Sequence, residues 1–215
     1  MIVKRNKFKE GIFKFFELFN LGVFKLLPRT STKEIKRLFG NKELVGVEIG
    51  VYEGKNAKSI LDNLNIRKLF LVDPYKSYTD KDCMKLENHH TQKELKDAFN
   101  KAFARLSRYK DKVEFKRNNS DEAINSIPND LDFVYIDGAH DYESIKKDLK
   151  LYYPKLKKGG VLSGHDIQLR DVWRAVFAFA IKHKLTPIIE INDWFMIKTK
   201  EDEKKRNEKI KENGL

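Results

Sequence analysis

Two tight groups of ionisable residues stand out in the chain. Asp137, His140 and Asp141 follow the apolar run Phe133–Ile136, and His165 and Asp166 follow Val161-Leu162. Carboxylates and imidazoles grouped in this way suit two kinds of chemistry. Three such donors can share a divalent cation, and a histidine that is neutral near pH 7 can take a proton as general base. Asp137, His165 and Asp166 are the candidate metal ligands; His140, on the turn directly after Asp137, is the candidate base. Simpler roles compete at two of these positions. Asp141 can cap the helix that follows, and His165 can orient a loop by hydrogen bonds.

These residues need elements to bring them together. Between the two groups runs a helical pattern with Ile145, Leu149 and Tyr152 on one face and Lys146, Lys147 and Lys150 on the other, stopped by Gly159-Gly160. The unit reads strand–helix–strand, and a crossover of this kind makes the two strands parallel and right-handed. Both groups then stand at the carboxyl edge of one sheet, where open parallel sheets bind ligands. Upstream, the spacing predicts strands at Leu44–Ile49, Leu69–Val72 and Val113–Lys116, with helices at Lys55–Leu64 and Gln92–Leu106. Ser120 caps a short helix. Downstream come a helix at Val172–His183 and two strands, Thr186–Ile191 and Trp194–Thr199, joined through Asn192-Asp193 as a hairpin. The expectation is an α/β fold with a mostly parallel seven-stranded sheet, helices on both faces and an antiparallel hairpin at the end. Ser31 with Glu34 reads as a capping box for a short helix, Thr32–Phe39. Polar residues 76–91, with His89 and His90, suit a lid over a substrate or a plain surface loop.

The first strand ends in VGVEIGVYEG. Gly50 and Gly54 let the backbone pass close to a ligand at a helix N-terminus, and Asp73 ends the next strand where an acid can grip ribose hydroxyls. With Glu48 in register, this is a nucleotide-site pattern that lacks the G-x-G-x-x-G fingerprint. The set E-x-G-x-x-x-G, VDP, IDGAHDYE and KKGGVLSGHD resembles class I S-adenosylmethionine-dependent methyltransferases of Rossmann-like fold. Within them it resembles the branch with macrocin- and mycinamicin-type sugar O-methyltransferases, over residues 43–200. The resemblance implies that Glu48 and Gly50 line the methionine end of S-adenosylmethionine, with Gly54 in the same turn. Asp73 would hold the ribose, Ser120 would lie near the adenine, and Asp137 beside the transferable methyl, where it is also a candidate catalytic residue. It implies a metal site of oxygen ligands, typically magnesium; His165 brings a nitrogen, which admits manganese. The implied acceptor is a hydroxyl of a sugar, glycan or other small polar metabolite.

The totals bound the rest. The chain has 215 residues, a net charge of +12 and one cysteine, Cys83. That suits a single domain in a reducing, cytoplasmic setting without a disulfide framework. The lysines are scattered along helix faces, and no aromatic-interleaved basic platform or Asn/Asp-Pro-Pro-aromatic motif follows the fourth strand, so nucleic acid is disfavoured as a partner. Residues 1–42 form a helical appendage. Its Phe-rich stretch within 1–27 suits packing or a homodimer contact, with peripheral membrane contact as the alternative. Residues 201–215 form a charged tail. A nucleic-acid (RNA) methyltransferase is the second functional reading, and a non-catalytic cofactor-binding or membrane-docked scaffold the third; the clustered ionisable groups argue against the scaffold.

Overall fold

The computed structural model describes residues 28–77 and 90–198. The Phe-rich stretch within 1–27, His89 and the charged tail lie outside the described residues. Seven strands form one mixed sheet: β1 Leu44–Ile49, β2 Ile66–Val72, β3 Val113–Lys116, β4 Leu131–Ile136, β5 Leu156–Gly164, β6 Ile188–Glu190 and β7 Asp193–Ile197. Their order is β3-β2-β1-β4-β5-β7-β6. β1 to β5 are mutually parallel, and β7 runs antiparallel to both β5 and β6. This is the expected Rossmann-like methyltransferase architecture with its terminal hairpin.

Side-chain alternation along the strands builds two cores. On one face Val47, Ile49, Val134, Ile136 and Leu162 meet helices α5 (Tyr142–Tyr152) and α6 (Arg170–His183) through Ile145, Leu149, Val172 and Val176. On the other, Leu69, Leu71, Phe133 and Val161 meet α1 (Thr30–Phe39), α2 (Lys55–Asn63) and α3 (Gln92–Leu106) through Ile35, Ile60 and Ala98. Each buried leucine, isoleucine or phenylalanine contributes about 1.5–3 kcal/mol. The sheet is held from both sides. Of α1, Ile35 is buried in this second core, with Leu38 and Phe39 packed against it.

The pairing register sets the position of the site. Lys116, Val72, Ile49, Ile136 and Gly164 lie side by side across β3, β2, β1, β4 and β5. The next residue of each strand therefore forms one row: Arg117, Asp73, Gly50, Asp137 and His165. Neighbouring strands are about 4.8 Å apart, so Asp73 and Asp137 flank Gly50 at the carboxyl edge.

Four local expectations need correction. α5 stops at Tyr152, before Pro154, and Gly159-Gly160 lie inside β5, which begins at Leu156. A proline cannot continue a helix interior, so the stop lies at Pro154 and not at Gly159-Gly160. The hairpin turn is Ile191-Asn192, one residue earlier than expected, because Glu190 pairs with Asp193. Ser31 does not cap α1. Arg29 occupies the cap position without a side-chain bond, and Ser31 instead donates to Asp193. Ser120 likewise follows the true cap of α4 (Ser120–Ala123), Asn119.

Candidate active site

The turn after β1 is held from two directions. Gly50 has φ +84°, and a Cβ there would sit 2.0 Å from the Asp137 carbonyl oxygen, so only glycine fits between the ends of β1 and β4. Asp73 pins the turn from the other side. Its Oδ2 accepts from Val51 N at 3.0 Å and Tyr52 N at 2.9 Å, while Oδ1 accepts from Tyr75 N at 2.9 Å. Gly54 begins α2 in the left-handed region, and a Cβ would press on Ala102 and Leu106 of α3 at 3.2–3.3 Å. Its glycine is explained by packing against α3. Ser120 faces α5, where its Oγ donates to Asp148 and its carbonyl accepts from Tyr152.

Glu48 sits on β1, one residue before the strand end, and is 1% exposed. Its Oε1 accepts from Asn56 Nδ2 at 2.9 Å, whereas Oε2 is buried without a partner among the described residues. Burial pushes its carboxyl up to about 8, the Asn56 hydrogen bond only partly offsetting the loss of water. An acceptor left bare in this way favours a ligand that brings a donor.

At the ends of β4 and β5, Asp137, His140 and Asp166 each offer one ligand atom, and these atoms lie within 4.8 Å of one another. His140 Nε2 is 2.9 Å from Asp166 Oδ2 but off the line of a hydrogen bond, and the nitrogen is buried. His165, the expected third ligand, stands one step aside. Its Nδ1 is 3.0 Å from Asp166 Oδ1 and 3.8 Å from Asp137 Oδ1. Gln168 Nε2 also donates to Asp166 Oδ1, at 2.9 Å. Asp166 adopts φ +57°, a conformation that Asp tolerates better than most residues. The two acids are driven apart electrostatically. Burial raises the Asp137 carboxyl, with Arg29 opposing; at Asp166 burial is overcome and His165 holds the carboxyl below its usual range. Such divergence marks sites where two carboxylates have different tasks. Asp141 caps α5, accepting from Ser144 N at 2.9 Å.

Two further residues enter the site without any local sequence signal. Arg29 donates to Asp137 Oδ2 at 2.8 Å and to the Tyr135 hydroxyl. Asp193, 4% exposed, lies with its Oδ1 4.0 Å from His165 Nε2. Their partners are distant in sequence, so only the assembled sheet reveals them.

The family model for a methyltransferase domain matches residues 47–167. Uncharacterized protein R132 of Acanthamoeba polyphaga mimivirus is 28% identical over 141 residues, which are 63% of this chain and 57% of the viral protein. The chain thus spans less than two thirds of that relative's length. Among solved structures, the calicheamicin methyltransferase CalS11 superposes with a TM-score of 0.59 at 14% identity over 84% of each chain. An O-methyltransferase from Bacillus cereus, solved with SAH, gives 0.58 at 12% identity, covering 93% of this chain and 94% of that one. The O-methyltransferase TomG of Streptomyces achromogenes, involved in tomaymycin synthesis and solved with SAM, gives 0.56 at 12% identity over 79% and 78%. At these identities the likeness establishes a shared fold.

Proposed function

The chain belongs to the methyltransferase-domain family that its residues 47–167 match, and from that premise we propose that it is an O-methyltransferase. It would transfer the methyl group of S-adenosylmethionine to a hydroxyl of a sugar, glycan or other small polar metabolite. The observation that carries the reading is what gathers at the carboxyl edge of the sheet: Glu48 with a bare oxygen, Gly50 with no room for a side chain, and the Asp137–His140–Asp166 group beside them. S-adenosylmethionine, when bound, supplies an electrophilic methyl on a sulfonium. Glu48 Oε2 would accept from its ammonium group, and the turn Gly50–Gly54 would admit its backbone-facing edge. Asp73 keeps that turn in shape with three accepted bonds and has one lone-pair site left for a ribose hydroxyl. Ser120 would border the adenine.

The hydroxyl proton needs a destination. In the favoured reading Asp137 and Asp166, with His140 or His165 as nitrogen donor, would hold a divalent ion, which would supply a lowered hydroxyl pKa so that the proton can leave to water. The donor set fits, since two carboxylates and an imidazole suit manganese as well as magnesium, and the buried, unbonded His140 Nε2 supports it. A second reading rests on the 2.9 Å approach of His140 to Asp166. Without an ion, His140 takes the proton as general base and Asp166 stabilises the resulting imidazolium. Where His140 is the nitrogen donor its Nε2 cannot also take the proton, so a bound ion tests the first reading apart from the second. Manganese titrated into the protein, followed by electron paramagnetic resonance, should give one bound ion that Asp166→Asn releases. No bound ion would leave the base reading standing. Small polar hydroxyl compounds screened with labelled methyl donor would identify the acceptor; a panel in which only RNA is labelled would refute the small-molecule reading.

A further inference from the structure

Arg29 is 108 residues from Asp137 in sequence, yet its Nη1 donates to Asp137 Oδ2 at 2.8 Å. The same nitrogen donates to the Tyr135 hydroxyl, which in turn donates to Asp193 Oδ1 at 3.2 Å. Asp193 Oδ2 then accepts from Ser31 N at 3.0 Å and Ser31 Oγ at 2.7 Å. The chain of bonds closes on itself: the segment that carries Arg29 is tied to β7 two residues later. We propose that Arg29 is a positioning residue for Asp137, and that the Ser31–Asp193 contact latches it in place.

The physical reason lies in the carboxylate's freedom. A carboxylate can rotate about its last bond, and burial alone does not choose which oxygen faces a ligand. Arg29 takes Oδ2 with a charge-assisted bond, the stronger kind. Oδ1 is left on the side of His165, 3.8 Å from its Nδ1. Arg29 is itself well placed for this, with its guanidinium 5.4 Å from the Tyr135 ring centroid and its side chain 31% exposed. Both bonds leave from one nitrogen, so a lysine ammonium could make them too.

The inference rests on the proposed cofactor, because the group that Asp137 would face is the sulfonium. S-adenosylmethionine and its demethylated product differ by one methyl and one positive charge. The ratio of their dissociation constants therefore isolates what faces the sulfur. The experiment is calorimetric titration of both compounds into the full chain, as wild type, R29A, R29K, D137N and the double variant R29A/D137N, with melting temperatures recorded. The expected result is that R29A lowers the preference for S-adenosylmethionine about tenfold, the size of one charge-assisted bond. R29K should keep most of the preference, and R29A should change nothing further in the D137N background. If R29A does not fold, Arg29→Met keeps the apolar stem over Tyr135 and serves in its place. An unchanged or increased preference in R29A, or an equal loss in the D137N background, overturns the proposal. If wild type binds neither compound, the cofactor reading itself fails, and the proposal falls with it.

Discussion

Glu48 and Asp137 carry the account at the scale of single residues, and their environments make different demands. A carboxyl raised to about 8 by burial binds its proton more tightly folded than unfolded. Stability linked to it is therefore present below pH 4.5 and lost as the pH rises toward 8. Glu48→Gln removes that titration. Melting temperatures of wild type should fall relative to Glu48→Gln between pH 5 and 8, and a constant difference would contradict the assigned burial. The same variant should bind S-adenosylmethionine at least about tenfold more weakly, since an amide is a poor partner for an ammonium group. Asp137→Ala should abolish methyl transfer, while His140→Ala should lower the rate more than it weakens cofactor binding; single-turnover assays with the identified acceptor would check both. Gly50→Ala should destabilise the fold by about 3 kcal/mol or more, because the Cβ would overlap the Asp137 carbonyl at a positive φ. A Gly50→Ala melting curve superposable on wild type would contradict that geometry.

At the scale of elements, the strands that the pattern placed best are two short runs bounded by polar residues or glycine. Leu44–Ile49 and Val113–Lys116 were read to the residue, as was the helix Gln92–Leu106. What the pattern missed has local causes. Glycines in a strand look like breakers, so Gly159-Gly160 hid the first half of β5. The hairpin shifted because Asn192-Asp193 has turn-forming chemistry, while the assembled sheet uses the Asp193 carboxylate as an internal acceptor for Ser31 and Tyr135. That choice leaves Ile191 at φ +57°, 89% exposed, in a region that a β-branched residue rarely adopts. Ile191→Gly should therefore stabilise the protein by about 1 kcal/mol. Chemical denaturation would check it, and a loss of stability would show that Ile191 has contacts that compensate its strain.

The whole molecule shows what a sequence conveys poorly: encounters between distant segments. The row at the sheet edge was legible, because each of its residues follows a readable strand of a mostly parallel sheet. Arg29 was not, because nothing near it in the chain marks it as part of a site. The net charge of +12 also gains meaning only in three dimensions. Many of the cations are spent in surface pairs such as Lys101–Glu53, Lys146–Glu143 and Arg108–Asp62, where water and salt screen the attraction. Binding to RNA should accordingly be weak, and a salt dependence equivalent to six or more phosphates, roughly the slope of a dedicated binder, would contradict the scattered-charge reading. Among the described residues no helix is long and apolar enough to cross a membrane.

One titration bears on all of this most directly. Calorimetry of the wild-type chain with S-adenosylmethionine should give a single site with a dissociation constant between about 1 μM and 1 mM, and D137N together with Glu48→Gln should remove the heat. Absence of any heat with either S-adenosylmethionine or its demethylated product, from protein that melts cooperatively, would contradict the account.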